Sequence, residues 1–197
     1  LSTAMGMGAH FCGFVFHPKS PRYIAPERAA ALDSALIRRV GVFVNQDAEQ
    51  IMDIMKTARL EFAQLHGNQS LDCARRIGAG KVIRVLWPDS YDSLDAMQRE
   101  MDLWADSCSW FLLDAGRQGG GHGTALDWKA LASLQAPRPW FLAGGLSSAS
   151  LNRALEQCTP NGIDLNSGVE AIPGQKSPQK LLAALKPLIS YTPYHIA

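Results

Sequence analysis

WFLAGGLSSASLNRALEQCTPNGIDLNSGVE, residues 140–170, holds one complete strand-helix-strand unit. It opens on a short apolar run, Trp140–Ala143, of the kind that forms a buried strand. Gly144-Gly145 interrupts the run, and Ser147 stands where a side-chain oxygen can cap the start of a helix. Leu151, Ala154, Leu155 and Cys158 then recur at the spacing of one helix face. A second apolar run, Ile163–Asn166, follows and ends on Ser167-Gly168. Connections this short between strand, helix and strand favour parallel pairing.

The same alternation runs through the rest of the chain. Phe11–Phe16, Val40–Asn45, Phe62–His66, Val82–Trp87 and Trp110–Asp114 are runs rich in Val, Ile, Leu and Phe. One-sided helical spacing lies between them, at Ile51, Ile54, Met55 and Ala58 and again at Leu94, Met97, Met101 and Trp104. Pro26 and Pro178 suit first-turn positions, where a missing amide proton matters little. Repeated strand-helix units point to a doubly wound sheet or a closed barrel, and 197 residues suit one domain with a sizeable core. A closed barrel needs eight strands, whereas seven runs are visible. Leu1, Ala4, Met5 and Ala9, with Gly6 and Gly8 near the end, resemble the tail of a helix. The expectation is an α/β chain forming a (β/α)8 TIM barrel, residues 1–197 as a single phosphate-binding domain, with the first β-strand absent from these residues. The strands at Phe11 and Ile163 would then both present unpaired edges. An open sheet of seven units is the alternative.

With 19 basic against 18 acidic side chains, the chain carries no field that would draw it to nucleic acid or to an anionic membrane. Its apolar runs are far shorter than the ~20 residues that span a bilayer. Leu1–His10 has neither a basic start nor a continuous apolar stretch, so it does not read as a secretory signal. The 4 cysteines, Cys12, Cys73, Cys108 and Cys158, show none of the close pairing of metal or redox motifs and read as buried thiols. A reducing, cytoplasmic setting suits them. A small phosphorylated molecule is the expected partner.

In a parallel barrel the chemistry lies where strands end. Gly144-Gly145 and Ser167-Gly168 follow the last two strands, and glycine lets backbone amides approach an anion closely. A short helix starting after Gly168 would add its positive end. The run Gly119–Gly123 has the composition of a loop that folds over a ligand, or of a plain connector. Asp114 ends an apolar strand, where a carboxylate can serve as a general acid or simply cap a loop. Arg22, in a loop stiffened by Pro18 and Pro21, can meet a carboxylate with two donors or lie solvated on the surface. His66 can orient a substrate or pack beneath Gly67.

Together, GFVFHPKSPRYI (13–24), VGVFVN (40–45), QLHGNQ (64–69), FLLDAGRQGGGHGTALDW (111–128), LAGGL (142–146) and DLNSGVEAIPGQKS (164–177) resemble the phosphoribosylanthranilate isomerases of tryptophan biosynthesis. The resemblance runs from end to end. It implies an Amadori rearrangement that needs no cofactor and no metal, converting N-(5′-phosphoribosyl)anthranilate to 1-(2-carboxyphenylamino)-1-deoxyribulose 5-phosphate. It makes Asp114 the general acid that protonates the ribose ring oxygen and sets Arg22 against the anthranilate carboxylate. Gly121, Gly144, Gly145, Ser167 and Gly168 match the phosphate-binding positions. Fusion to, or association with, another tryptophan-pathway enzyme is compatible with such a family. An aldolase or an indole-glycerol-phosphate synthase would need a strand-end lysine, and only Lys19 and Lys176 sit in candidate site loops. The rival from another class is a non-catalytic phosphate-binding barrel, or a fragment that self-associates through open strand edges.

The family's general base is a cysteine in a Lys-Ile/Val-Cys-Gly motif on its first strand, and these residues contain no such motif. A positioned base contributes about 10²–10⁴-fold to rate, so the 197-residue chain is expected to show little isomerase activity. A turnover assay checks this, and a rate near that of a complete relative would contradict it.

Overall fold

The structure is a computed structural model that describes residues 1–33, 37–114, 128–189 and 191. Its strands are β1 (Phe11–Val15), β2 (Arg38–Phe43), β3 (Phe62–Leu65), β4 (Val82–Leu86), β5 (Trp110–Leu113), β6 (Trp140–Leu142) and β7 (Gly162–Ile163), in a seven-stranded sheet whose order follows the chain. The helices are α1 (Ser2–Gly6), α2 (Pro26–Ala30), α3 (Ala48–Thr57), α4 (Leu71–Ile77), α5 (Leu94–Trp104), α6 (Trp128–Leu131), α7 (Ser148–Gln157) and α8 (Pro178–Ile189). A two-stranded antiparallel hairpin, β8 (Glu170–Ile172) and β9 (Gln175–Lys176), precedes α8. All seven apolar runs form strands, each ending a residue or more before the run does, and both prolines open their helices. Ser147 begins α7, its N–H donating to Ser150 Oγ at 3.0 Å and its carbonyl accepting from Leu151 N at 2.9 Å.

The chain resolves into two compact units. The first comprises Leu1–Val85 and Trp104–Trp110. There β1 pairs with β2, β2 with β3 and β3 with β4, all parallel. Phe16, Phe43, Ile51 and Leu65 are almost wholly buried, and the rings of Phe16 and Phe43 stack at 5.5 Å. Burying each such side chain stabilises the fold by roughly 1.5–3 kcal/mol. At the opposite ends of the strands their first residues meet: Phe11 packs edge-on against Phe62 at 5.7 Å and Trp110 at 6.0 Å. The Arg38 guanidinium lies over the Phe11 and Phe62 rings, 5.9 and 5.8 Å from their centroids.

The second unit comprises Leu86–Leu103 and Phe111–Ala197. Its strands pair in register, Leu113 with Leu142 and Leu142 with Ile163. Met97, Met101, Leu142, Leu146 and Leu151 fill its core, and α7 packs against α8. The expected short helix after Gly168 is not there. Ser167–Val169 is a single 3-10 turn, and the chain then folds back as the hairpin. Pro173-Gly174 explains this, since Pro fixes the first corner of a tight turn and Gly174 takes the positive φ of 87° that the second requires.

Arg39 shows how the first unit accommodates a buried charge. Its guanidinium donates to the carbonyls of Leu32 (3.0 Å), Ala58 (3.2 and 3.0 Å) and Ala29, and it lies 4.6 Å from the Phe14 ring centroid. Those carbonyls lie in the last turns of α2 and α3 or within two residues after them, where a cation is favoured. Arg39→Met keeps the stem but leaves buried acceptors unpaired, so unfolding in urea should show a loss of about 2 kcal/mol or more.

Candidate active site

In the second unit, three successive strand ends carry the predicted groups. Asp114 N–H donates to Leu86 O at 3.0 Å, Ala143 N–H to Leu113 O at 2.8 Å and Asp164 N–H to Leu142 O at 2.9 Å. With Leu113, Leu142 and Ile163 in register, Asp114, Ala143 and Asp164 lie at one level, one residue beyond the sheet. Asp114 is half-buried there. Gly144 and Gly145 leave β6 with φ of 95° and 63°, consecutive left-handed conformations that turn the backbone sharply and that side chains resist. Gly168 is pressed so closely on the Leu146 carbonyl that a Cβ would overlap it. The two glycine loops therefore interlock, backbone on backbone. Gly121, with the rest of Gly119–Gly123, lies outside the described residues.

Asp164 is a neighbour that sequence reading passed over. Desolvation pushes its carboxyl above the usual range, and the Lys176 ammonium opposes that rise. Lys176 Nζ donates to Asn166 O at 2.9 Å, Asn166 Oδ1 at 2.6 Å and Glu170 Oε1 at 3.1 Å.

The first unit carries Arg22 and His66. The loop after β1 is tied to itself, with Ser20 N–H donating to His17 O at 2.9 Å, Tyr23 N–H to Ser20 O at 3.1 Å and Ile24 N–H back to Val15 O at 3.1 Å. Arg22, half-buried, donates its N–H to Ser20 Oγ at 3.1 Å. His66 N–H donates to Phe43 O at 2.8 Å, and its Nδ1 lies 3.2 Å from Gln64 Nε2. An amide nitrogen only donates, so Nδ1 accepts and the ring proton sits on Nε2. Two glutamines missed in the sequence fix this rim. Gln46 Nε2 donates to Phe16 O at 2.6 Å while its Oε1 accepts from Val44 and Asn45 N–H at 3.1 and 3.2 Å. Gln69 Oε1 accepts from Gly67 N–H at 3.1 Å. Nothing in their spacing distinguishes them from solvated glutamines.

None of the four cysteines suits a strand-end base. Cys12 is the second residue of β1, Cys73 lies in α4, Cys108 precedes β5 and Cys158 follows α7. Burial pushes the Cys158 thiol up to about 11 and the Cys73 thiol above its ordinary value, which disfavours the thiolate in both. Among the described residues no group of three or more His, Cys, Asp and Glu could hold a metal ion, and no helix is long and apolar enough to cross a membrane.

Burial and the Gln64 hydrogen bond both favour neutral His66, and burial lowers its pKa. The unfolded chain therefore binds this proton more readily, so the stability is full above the unfolded value near 6.5 and declines as pH falls below it. His66→Gln should flatten the change in unfolding free energy between about pH 7.5 and 5 relative to the parent, as denaturant titrations at both pH values would show.

Residues 1–186 match the profile of the family described as N-(5′-phosphoribosyl)anthranilate (PRA) isomerase. An N-(5′-phosphoribosyl)anthranilate isomerase of Desulfovibrio desulfuricans is 55% identical over 185 residues, 94% of this chain and 88% of that protein. The crystal structure of phosphoribosyl anthranilate isomerase from Thermotoga maritima superposes with a TM-score of 0.83 at 31% identity, covering 96% of this chain and 93% of that one. A phosphoribosyl anthranilate isomerase in complex with reduced 1-(o-carboxyphenylamino)-1-deoxyribulose 5-phosphate is 30% identical with a TM-score of 0.79, covering 96% and 92%.

Proposed function

The chain belongs to the N-(5′-phosphoribosyl)anthranilate isomerase family, and we propose that its strand ends carry out that family's rearrangement with Asp114 as the acid. The fold is the family's (β/α)-barrel type, and the reaction is the Amadori rearrangement of tryptophan biosynthesis. N-(5′-phosphoribosyl)anthranilate enters as a cyclic aminoaldose. Asp114 gives its proton to the ribose ring oxygen as the C1–O bond breaks, and the nitrogen lone pair closes a C1=N Schiff base. Loss of the C2 proton to a base moves those electrons into an enamine, and tautomerisation of the C2 enol leaves the ketone of the ribulose phosphate. The sum is an internal oxidation at C2 and reduction at C1, so no external redox group is needed.

The interlock of Gly168 with the Leu146 carbonyl is the observation that carries this reading. It supports a phosphate held by the amides of Gly144, Gly145, Ser167 and Gly168, one and two strand ends away from Asp114. Arg22 is assigned to the anthranilate carboxylate and His66, through a neutral ring, to orienting the substrate. Gly121 is assigned to the phosphate on its motif alone. The base stays unassigned among the described residues.

Asp114→Asn retains shape and hydrogen bonding but cannot give the proton. Its kcat, followed by loss of substrate fluorescence, should fall by about 10²–10⁴-fold. Binding of the reduced ribulose phosphate analogue should stay within about threefold, because the phosphate grip is untouched. A variant with unimpaired turnover would remove Asp114 from the mechanism.

A further inference from the structure

Resting on the phosphate site proposed above, we infer that Lys176 is a positioning residue whose ammonium clamps both shoulders of the Ser167–Val169 turn and so aims the amides that grip the substrate's phosphate. The turn is preceded by Asn166 and followed by Glu170. Lys176 reaches both: Nζ donates to Asn166 O (2.9 Å) and Oδ1 (2.6 Å) on one side and to Glu170 Oε1 (3.1 Å) on the other. An ammonium has three N–H groups, and three acceptors take them. None is left to bind phosphate directly in this arrangement, so Lys176 acts through the turn.

The rest of the hairpin is built to return this side chain. Glu170, whose side chain is only 4% exposed, also accepts from Gly174 N–H at 3.2 Å, which fixes the Pro173-Gly174 corner. Lys180 Nζ donates to Glu170 O at 2.6 Å, and Ser177 N–H to Val169 O at 2.8 Å, tying the turn to the start of α8. On its other face the turn rests on the Leu146 carbonyl through Gly168. The clamp therefore holds the exposed side of a turn whose inner side is already fixed. A flexible surface lysine would contribute almost nothing, but here one partner is buried and the other is the residue that leads into the amides.

The test measures ligand binding and turnover together in the full chain. Lys176→Met should weaken the reduced ribulose phosphate analogue, and inorganic phosphate as its competitor, by about tenfold, with KM rising alike and kcat within about threefold. Lys176→Arg should recover most of the affinity, because a guanidinium can still span both shoulders. If the lysine served only to neutralise buried Glu170, adding Glu170→Gln to Lys176→Met would restore binding, and that result would overturn the clamp. Unchanged phosphate affinity in Lys176→Met would overturn it too, and the arginine variant keeps the question answerable should the methionine variant fold poorly. The binding arms need no turnover: phosphate affinity indifferent to Lys176 would overturn the clamp alone, whereas turnover indifferent to Asp114→Asn would overturn the acid's role and leave the clamp standing.

Discussion

One backbone resting on another sets the terms for the second unit. Gly168 lies against the carbonyl of Leu146, and Leu146 is itself buried, so neither loop can shift without the other. No side chain fits between them. The arrangement sets backbone against backbone just after the last two strands of the sheet. On the proposed reading, amides fixed in this way meet the phosphate with little reorganisation. After the short turn that contains Gly168, the Pro173-Gly174 corner doubles the chain back before α8 starts.

Charge inside the protein follows a related logic. Arg39 is held by carbonyls at two helix ends, and Glu170 is held by a lysine and a backbone amide within the same hairpin. Arg39 is solvated by carbonyl dipoles, whereas Glu170 is paired with an opposite charge from its own hairpin. His66 takes the other course: burial lowers its pKa and favours the neutral ring.

The strands were legible because burial on both faces makes a parallel strand a nearly continuous apolar run, and the helices because one face must be apolar. Ser147, Pro26 and Pro178 marked helix starts through chemistry that acts over two or three residues. Asp114 and the glycine loops could be read from position, since they stand where apolar runs stop. The hairpin was not, although Pro173-Gly174 carried its turn signal, because Glu170–Lys176 has too few residues to show a strand period. Lys176 could be placed in a candidate loop but given no task, and Gln46 and Gln69 were illegible, for a deeper reason: each works by reaching a main-chain atom whose location only the folded chain defines.

The first unit separates its two rims by chemistry. One rim is glutamine, histidine and loop carbonyls; the other is a greasy plug of Phe11, Phe62 and Trp110 roofed by Arg38. On the proposed reading, in which His66 orients the substrate, durability and selectivity reside in different amino acids. Descendants of this sequence can explore new ligands by rewriting the polar rim while the aromatic plug keeps the strands bundled, which gives the scaffold room to diverge without first becoming fragile.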